Sequence, residues 1–208
     1  HVDADGRIGP FAARSHRVIP VDDLPLATAP VERAAMRLVA GGEGRIDLVQ
    51  PADGRVRVLN RPEGARPSGA PEVVVETVRG RDFRVDAGGF WQVHRLAAHA
   101  LTGLVAELLG DAVDPDAAHL DLYGGVGLFA ATLGELGGRG TRVTSVESDE
   151  RATEHAGENL AAWIGARAET ARVDRWLGHL VDPATPAQRA RLARGTVVLD
   201  PPRAGAGK

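Results

Sequence analysis

Four acidic residues stand at or near the ends of short apolar runs in the second half of the sequence. Asp121 lies in LDLY, Glu147 closes RVTSVE and Asp200 closes TVVLD. Asp174 ends ETARVD, which predicts either a third strand or part of a helix. In open α/β folds the carboxyl ends of parallel strands meet at one edge of the sheet, and ligands bind there. The four carboxylates are therefore candidate acceptors for one ligand, although each alone could equally be a solvated strand end or a helix cap.

The loop after the first of these runs is rich in glycine. Gly125, Gly127 and Ala130 have the spacing G-x-G-x-x-A, one form of the fingerprint that binds a dinucleotide between a strand and a helix. Glu147 follows Gly125 by 147 − 125 = 22 residues, where a carboxylate can accept hydrogen bonds from two ribose hydroxyls. This spacing fits NAD and S-adenosylmethionine equally.

The fourth apolar run continues into Asp200-Pro201-Pro202. Two prolines remove two backbone donors and favour an extended path, so the carboxylate and the nearby carbonyl groups are free to face a ligand. A dehydrogenase has no particular need of such a loop. A methyltransferase must hold its acceptor in line with the methyl group, so the loop favours S-adenosylmethionine over NAD.

The segments from about residue 81 onward predict the elements that would bring these strand ends together. Short apolar runs alternate with helical stretches such as DERATEHAGENLAAW, which is the rhythm of a doubly wound parallel sheet. RLAAHALTGLVAELLG predicts a helix over 95–110 with one apolar stripe formed by Leu101, Leu104, Val105 and Leu108.

Residues 1–80 show a different pattern. IDLVQ and RVRVLN flank the turn sequence PADG, which predicts a β-hairpin, and EVVVETV predicts a further strand of an antiparallel sheet. PVERAAMRLVAGG predicts one helix that begins at Pro30 and stops at Gly41. We therefore divide the chain into a small α+β region, 1–80, and an α/β domain, 81–208.

Composition excludes several classes of protein. The 208 residues are 43% hydrophobic and 25% charged, which suits a globular fold. Without cysteine the sequence holds no disulfide framework, thiolate zinc site or iron–sulfur cluster, and we predict no metal site. No apolar run approaches the ~20 residues that span a bilayer, so we expect a cytoplasmic protein without membrane contact. The net charge of −3 predicts no general attraction to nucleic acid, although a local basic patch stays possible.

Three blocks of the sequence resemble the S-adenosylmethionine-dependent RNA 5-methyluridine methyltransferases of bacteria: FRVDAGGFWQVHRLAAHAL, LDLYGGVGLFA and VVLDPPRAGAG. The resemblance covers residues 81–208 well and the first 80 loosely. Tyr123 stands where the general methyltransferase loop has its first glycine, as is common in this family. Arg203 also fits the family, since enzymes that methylate an exocyclic amine usually have an aromatic residue there. His94 and Leu128 depart from the family pattern.

The resemblance implies a doubly wound class I methyltransferase (Rossmann-like) sheet, incomplete at its C-terminal end, with S-adenosylmethionine as its cofactor. It implies that residues 1–80 contact RNA and that the substrate is a uridine in tRNA or rRNA. Gln92 owes its role to the resemblance alone. The implied cofactor contacts are Gln92, Asp121, Tyr123, Gly125, Gly127, Glu147, Asp174 and Asp200, and the implied substrate contacts are Asp200, Pro201 and Arg203.

The chemistry of the family needs a cysteine and, further along the chain, a base that removes the C5 proton before the cysteine leaves. These enzymes add a cysteine thiolate to C6 of uracil so that C5 can attack the methyl group, after the nucleotide has left the RNA stack. The family carries this cysteine in a Ser-Cys-Asn/Asp-Pro block after the next strand, so we expect it beyond Lys208 and expect no methylation of uridine by this chain alone. Two alternatives stay open: an S-adenosylmethionine-dependent methyltransferase for another substrate, and a non-catalytic RNA-binding relative.

Overall fold

The computed structural model describes residues 1–39, 42–64, 69–180, 184–202 and 205. The chain divides into two compact units, His1–Glu76 and a second unit that begins at Thr77. The boundary lies a few residues before the position, near residue 80, that the change of sequence pattern suggests. Each unit has its own arrangement of helices and strands.

The described residues of the first unit form one helix, a hairpin and most of a third strand. Its elements are α1 (Ala29–Ala35), β1 (Gly44–Val49), β2 (Arg57–Pro62) and most of β3 (Val73–Val78). The predicted hairpin is confirmed, since β1 and β2 pair antiparallel. The predicted helix is too long: α1 ends at Ala35, and Met36 and Val39 beyond it are exposed. Further helical turns would therefore have no apolar surface to pack on.

The second unit alternates strands and helices, as the sequence predicts. The turn of Arg79 and Gly80 joins β3 to the next strand, and both residues have positive φ, which is typical of a two-residue hairpin. The remaining elements are β4 (Arg81–Asp86), α2 (Ala97–Leu109), β5 (Ala118–Leu122), α3 (Leu128–Gly137), β6 (Arg142–Glu147), α4 (Glu150–Asn159), β7 (Arg167–Thr170), α5 (Val173–Leu180), α6 (Pro186–Leu192) and β8 (Val197–Leu199).

Four strands of the second unit form one parallel sheet in the order β7-β6-β5-β8. The chain runs outward from β5 to β7 and then returns to the other side of β5 for β8. This reversal defines a doubly wound, Rossmann-like sheet and confirms the predicted fold class. Within the described residues β8 is an edge strand, and Val197 and Leu199 are half exposed, as expected for it.

Helices cover both faces of the sheet, and the alternation of side chains along β5 shows which face meets which helices. His119 and Asp121 point to the face of α3, where a core of aliphatic residues and Trp163 forms. Leu120 and Leu122 point to the opposite face, where they pack with residues of α5 and α6. The two faces therefore have separate cores.

Helix α2 is present where the sequence predicts it, but its buried face differs. Ala98 and Thr102 are buried, whereas Leu104 and Leu108 of the predicted stripe are exposed. Small side chains on the contact face let α2 approach α3 closely, which a stripe of leucines would prevent. No helix in the described ranges is both long enough and apolar enough to cross a bilayer.

Candidate cofactor-binding site

The loop between β5 and α3 turns sharply because three of its residues adopt left-handed backbone angles. Tyr123, Gly125 and Gly127 have φ of 63°, 53° and 86°. Glycine adopts such angles without a steric cost, whereas tyrosine does not. The ring of Tyr123 packs against the core that contains Leu120 and Leu122, and this contact offsets the strained backbone.

Gly124 is required for a different reason. Its N–H donates to the Val146 carbonyl at 3.1 Å, which holds the loop against β6. A Cβ at this position would lie 2.1 Å from Ser145 Oγ and 2.8 Å from Asp121 Oδ2. The backbone therefore passes directly over two buried polar side chains, and any residue larger than glycine would displace the loop.

Asp121 lies beneath this loop and is fully buried. Its Oδ2 accepts a hydrogen bond from the Ala130 N–H at 2.9 Å and a weak one from Ser145 Oγ at 3.4 Å, while Oδ1 has no partner among the described residues. Burial, together with the negative charges of Asp200 and Glu147, raises the pKa of Asp121 to about 7, against the hydrogen bonds from Ala130 and Ser145 that lower it. The Asp121 carboxyl group therefore lies under the loop and contacts its backbone. A direct contact between Asp121 and a cofactor stays a prediction.

The stability of the protein should depend on the protonation of Asp121. Its pKa is about 7 in the folded state against a reference of 3.8, so the folded state keeps the proton and the free energy of unfolding falls as pH rises from about 4 to about 7. Asp121→Asn is neutral at every pH and should lack this loss, which amounts to at most about 4 kcal/mol. Urea unfolding of both proteins across this range measures the difference, and parallel pH curves would contradict it.

Glu147 is the last residue of β6 and faces the glycine loop. Its Oε2 accepts from the Gly125 N–H at 3.2 Å, and its Oε1 accepts from the backbone N–H groups of Ser148 at 2.6 Å and Asp149 at 2.9 Å. These donors hold the carboxylate in one orientation. It can accept hydrogen bonds from hydroxyl groups of a ligand that lies over the loop, which is the role predicted from its spacing.

Asp200 completes a row of three residues at the carboxyl edge of the sheet. Leu122 pairs with Val146 on one side and with Leu199 on the other, so the residues that follow, Tyr123, Glu147 and Asp200, stand side by side. The Asp200 N–H donates to the Leu122 carbonyl at 3.3 Å. Its side chain is exposed and bonds to none of the described residues. The row lies where the order of strands reverses, which is the ligand position in such sheets.

Two prolines follow this row, and the first of them is a predicted substrate contact. Pro201 is half-buried and Pro202 is exposed. Arg203, the third predicted substrate contact, lies outside the described residues. The extended path expected for two consecutive prolines therefore starts at the point where the strand order reverses.

Asp174 does not close the third strand, so this expectation is wrong. Strand β7 ends at Thr170, and Asp174 lies in the first turn of α5, exposed and paired with Arg172 at 3.0 Å. Hydrogen bonds from Arg172 lower the pKa of Asp174. The segment is helical because Val173 and Trp176 then pack together on the sheet. A contact of Asp174 with a cofactor stays a prediction.

Gln92 lies in the segment between β4 and α2. Its side chain is half-buried and forms no hydrogen bond with the described part of the chain. The neighbouring Trp91 packs against Phe83, with the ring centroids 6.0 Å apart, and anchors the segment. The amide of Gln92 is therefore held on an ordered segment with its donors and acceptor available.

A cavity of about 660 Å³ lies elsewhere, between the sheet and the helices α5 and α6. Its walls include Arg142, Arg167, Arg191 and Trp176, and none of the predicted site residues. The candidate site is instead an open edge built from a loop and strand ends. No group of three or more possible metal ligands occurs in the described ranges.

Several side chains that support the site escaped the sequence analysis. Ser145 lies under the loop, and Asn159 bonds to the loop carbonyl of Val126 at 2.9 Å. Asp86 and His155 form a buried hydrogen-bonded pair at 2.7 Å. The spacing of Arg151, His155 and Asn159, four residues apart in a predicted helix, was the available signal for a polar stripe.

A doubly wound sheet with a glycine-rich loop, an oriented carboxylate at the end of the second strand and acidic residues where the strand order reverses is the arrangement in which open α/β proteins bind nucleotides. No protein-family model matches the sequence. The chain is similar to two proteins named as uncharacterized RNA methyltransferases. The one from Streptomyces avermitilis is 35% identical over all of this chain and 51% of its own length, and the one from Streptomyces coelicolor is 36% identical over all of this chain and 48% of its own.

Among solved structures, the chain is similar to the Pyrococcus abyssi tRNA (uracil-54, C5)-methyltransferase in complex with S-adenosyl-L-homocysteine. The two are 27% identical, the match covers 71% of this chain and 34% of that chain, and the TM-score is 0.48. The chain spans about half the length of the two Streptomyces relatives.

Proposed function

We propose that this chain is the S-adenosylmethionine-binding part of an RNA methyltransferase that methylates C5 of a uridine in tRNA or rRNA. The observation that carries the proposal is the row of Tyr123, Glu147 and Asp200 at the switch point, followed by Pro201 and Pro202. This row joins a nucleoside-binding loop to a second loop that can hold a methyl acceptor. The two Streptomyces relatives, which match over the whole chain, support RNA as the substrate.

The donors and acceptors of the site fit S-adenosylmethionine. Glu147 can accept from both ribose hydroxyls, Gln92 offers a half-buried amide, and the loop at Gly125 leaves open space above its backbone. When bound, S-adenosylmethionine supplies a methyl group on a positively charged sulfur. The negative charges of Glu147 and Asp200, which act together on Asp121, favour this cation and disfavour the anionic pyrophosphate of NAD.

The residues of the chain orient the two reactants. The loop from Tyr123 to Gly127 and the Glu147 carboxylate, which are joined by a hydrogen bond, would hold the cofactor at the edge of the sheet. The next loop, with Asp200, Pro201 and Arg203, would place the base beside it. Asp174, on the first turn of α5, would meet the adenine amine, and residues 1–80 would contact the RNA.

The choice of uridine C5 rests on sequence resemblance. The blocks around Gln92, Tyr123 and Asp200 all match the 5-methyluridine enzymes, and Arg203 replaces the aromatic residue common in enzymes that methylate an exocyclic amine. Because the sequence has no cysteine, it contains no thiolate to add to C6. We therefore expect this chain alone to bind the cofactor without methylating uridine.

Two experiments test the proposal. Calorimetry on the purified chain should show binding of S-adenosylhomocysteine and none of NAD, and the opposite pattern would overturn the choice of cofactor. The protein expressed from the complete reading frame of the source gene should transfer tritiated methyl groups from S-adenosylmethionine to tRNA or rRNA, and nucleoside mass spectrometry should find 5-methyluridine. Methylated guanosine would refute the choice of base, and methylation of RNA by the 208-residue chain would refute its expected inactivity.

A further inference from the structure

One face of α4 carries three polar side chains that all contact β4. Arg151, His155 and Asn159 are spaced four residues apart, so they form one stripe along the helix. Their partners in β4 are Arg84 and Asp86, which are two residues apart and so point to the same side of the strand. We call Arg151, His155 and Asn159 the polar stripe.

The first part of the polar stripe anchors the end of β4. Asp86 is buried, and its Oδ1 accepts from His155 Nε2 at 2.7 Å and from Arg151 Nη2 at 2.9 Å. Its Oδ2 accepts from Arg151 Nε at 3.1 Å. The hydrogen bonds from Arg151 lower the pKa of Asp86, which keeps the carboxylate charged. A buried charge paired in this way resists separation, because loss of one partner leaves the other desolvated and unpaired.

The last member of the polar stripe reaches the glycine loop. Asn159 is buried, and its Oδ1 accepts from the Arg84 N–H at 2.8 Å. Its Nδ2 donates to the Arg84 carbonyl at 3.1 Å and to the Val126 carbonyl at 2.9 Å. Val126 stands between Gly125 and Gly127, so one amide group ties the middle of the loop to the backbone of β4.

This tie matters because the residues on either side of Val126 are both glycines. Gly125 and Gly127 both have left-handed φ, and glycine has the widest conformational freedom of any residue. The Val126 carbonyl is buried with its Asn159 partner, and a buried carbonyl without a donor is unfavourable. The Asn159 amide therefore selects one orientation of the peptide that follows Val126.

We propose that Asn159 is a positioning residue for cofactor binding: it holds the Val126 carbonyl, and Asp86, Arg151 and His155 fix the helix and strand from which it acts. The inference rests on the proposed function, since the loop is the proposed cofactor cradle. Asn159 itself does not contact the cofactor. Its effect on affinity passes through the conformation of the loop.

Asn159→Asp and Asn159→Ala separate this role from simple loss of stability. Asn159→Asp keeps the acceptor for the Arg84 N–H but turns a second oxygen toward the Val126 carbonyl. We expect it to weaken S-adenosylhomocysteine binding about tenfold at pH 8, measured by calorimetry where the protein is fully folded. As pH falls toward 5, its carboxyl group gains a proton and becomes a donor, so its affinity relative to wild type should recover. Asn159→Ala should bind S-adenosylhomocysteine more weakly than wild type, by a factor that does not change with pH.

The matched control is Asn60→Asp, the same chemical change at an exposed position of β2. It should bind S-adenosylhomocysteine as wild type does at every pH. The inference is wrong if Asn159→Asp binds S-adenosylhomocysteine as tightly as wild type does. It is also wrong if the lower affinity of Asn159→Asp, relative to wild type, does not change with pH. If the wild-type chain binds no S-adenosylhomocysteine, the proposed function fails instead.

Hydrogen exchange gives a readout that does not need the cofactor. In Asn159→Ala the amide of Gly127 and those of the first turn of α3 should exchange about tenfold faster, while the amides of β6 should change little. Asp86→Asn weakens the anchor at the end of β4 without a direct contact to the loop, so it should accelerate exchange of the same amides by a smaller factor. It replaces Asn159→Ala in this experiment if Asn159→Ala does not fold. Equal acceleration throughout the sheet would assign Asn159 a general structural role and overturn the proposal.

Discussion

Gly124→Ala is expected to lower the free energy of unfolding by about 3 kcal/mol or more and to abolish cofactor binding. The new methyl group would lie 2.1 Å from Ser145 Oγ and 2.8 Å from Asp121 Oδ2, well inside contact distance. Overpacking of a core typically costs about 1–3 kcal/mol, and both contacted atoms here are buried and hydrogen-bonded to each other. Thermal unfolding and calorimetry with S-adenosylhomocysteine measure the two effects.

Gly140→Ala is the control for Gly124→Ala, since a Cβ at Gly140 would meet nothing within 4 Å and its φ is not left-handed. It should leave stability unchanged or raise it by up to about 1 kcal/mol. Adding Ser145→Ala to Gly124→Ala removes the nearer of the two atoms and should restore part of the stability. A Gly124→Ala protein with wild-type stability and affinity would show that the loop does not pass over Ser145 as described.

Glu147→Gln is expected to weaken S-adenosylhomocysteine binding about 100-fold or more. A hydrogen bond to a charged group contributes about 1.5–3 kcal/mol, and the carboxylate would accept from two ribose hydroxyls. Glutamine keeps one oxygen, but its amide nitrogen must then face either the Gly125 N–H or the Ser148 and Asp149 N–H groups. Calorimetry measures the loss, and thermal unfolding shows whether the fold is kept.

Glu150→Gln gives the same chemical change three residues further along the chain. Glu150 is exposed in the first turn of α4 and bonds to none of the described side chains, so its loss should change affinity less than about twofold. An S-adenosylhomocysteine analogue without the ribose hydroxyls should bind wild type and Glu147→Gln nearly equally. If the Glu147→Gln deficit persists with that analogue, Glu147 does not contact the ribose.

Features that depend on residues close together in the sequence could be predicted from the sequence alone. The hairpin of β1 and β2 follows from two alternating runs around PADG, and the glycine loop follows from a strand, a G-x-G spacing and a helix. Glu147 and Asp200 were found for the same reason, since each directly ends an apolar run in a sheet whose strands are parallel.

Asp121 and Asp174 show where the sequence pattern fails. Asp121 lies near the end of one apolar run and Asp174 follows another, yet Asp121 is fully buried beneath the loop and Asp174 is exposed on a helix. Burial depends on what covers a residue, and Asp121 is covered by the start of α3 and by Ser145 of β6, which lies 24 residues further along the chain. Asp174 is in a helix because packing of Val173 and Trp176 outweighs the strand pattern of ETARV.

The sequence by itself determined the alternation of strands and helices along the second unit, the glycine loop, and the acids at the ends of β6 and β8. These features follow from periodicity and spacing, which are local properties. The tertiary structure decided which groups support that loop. Asn159 meets Arg84 across 75 residues and Val126 across 33, and Asp86 meets His155 across 69. Such pairs form only when the helix packs on the strand, so no local pattern specifies them, and their energies depend on the burial that the packing creates.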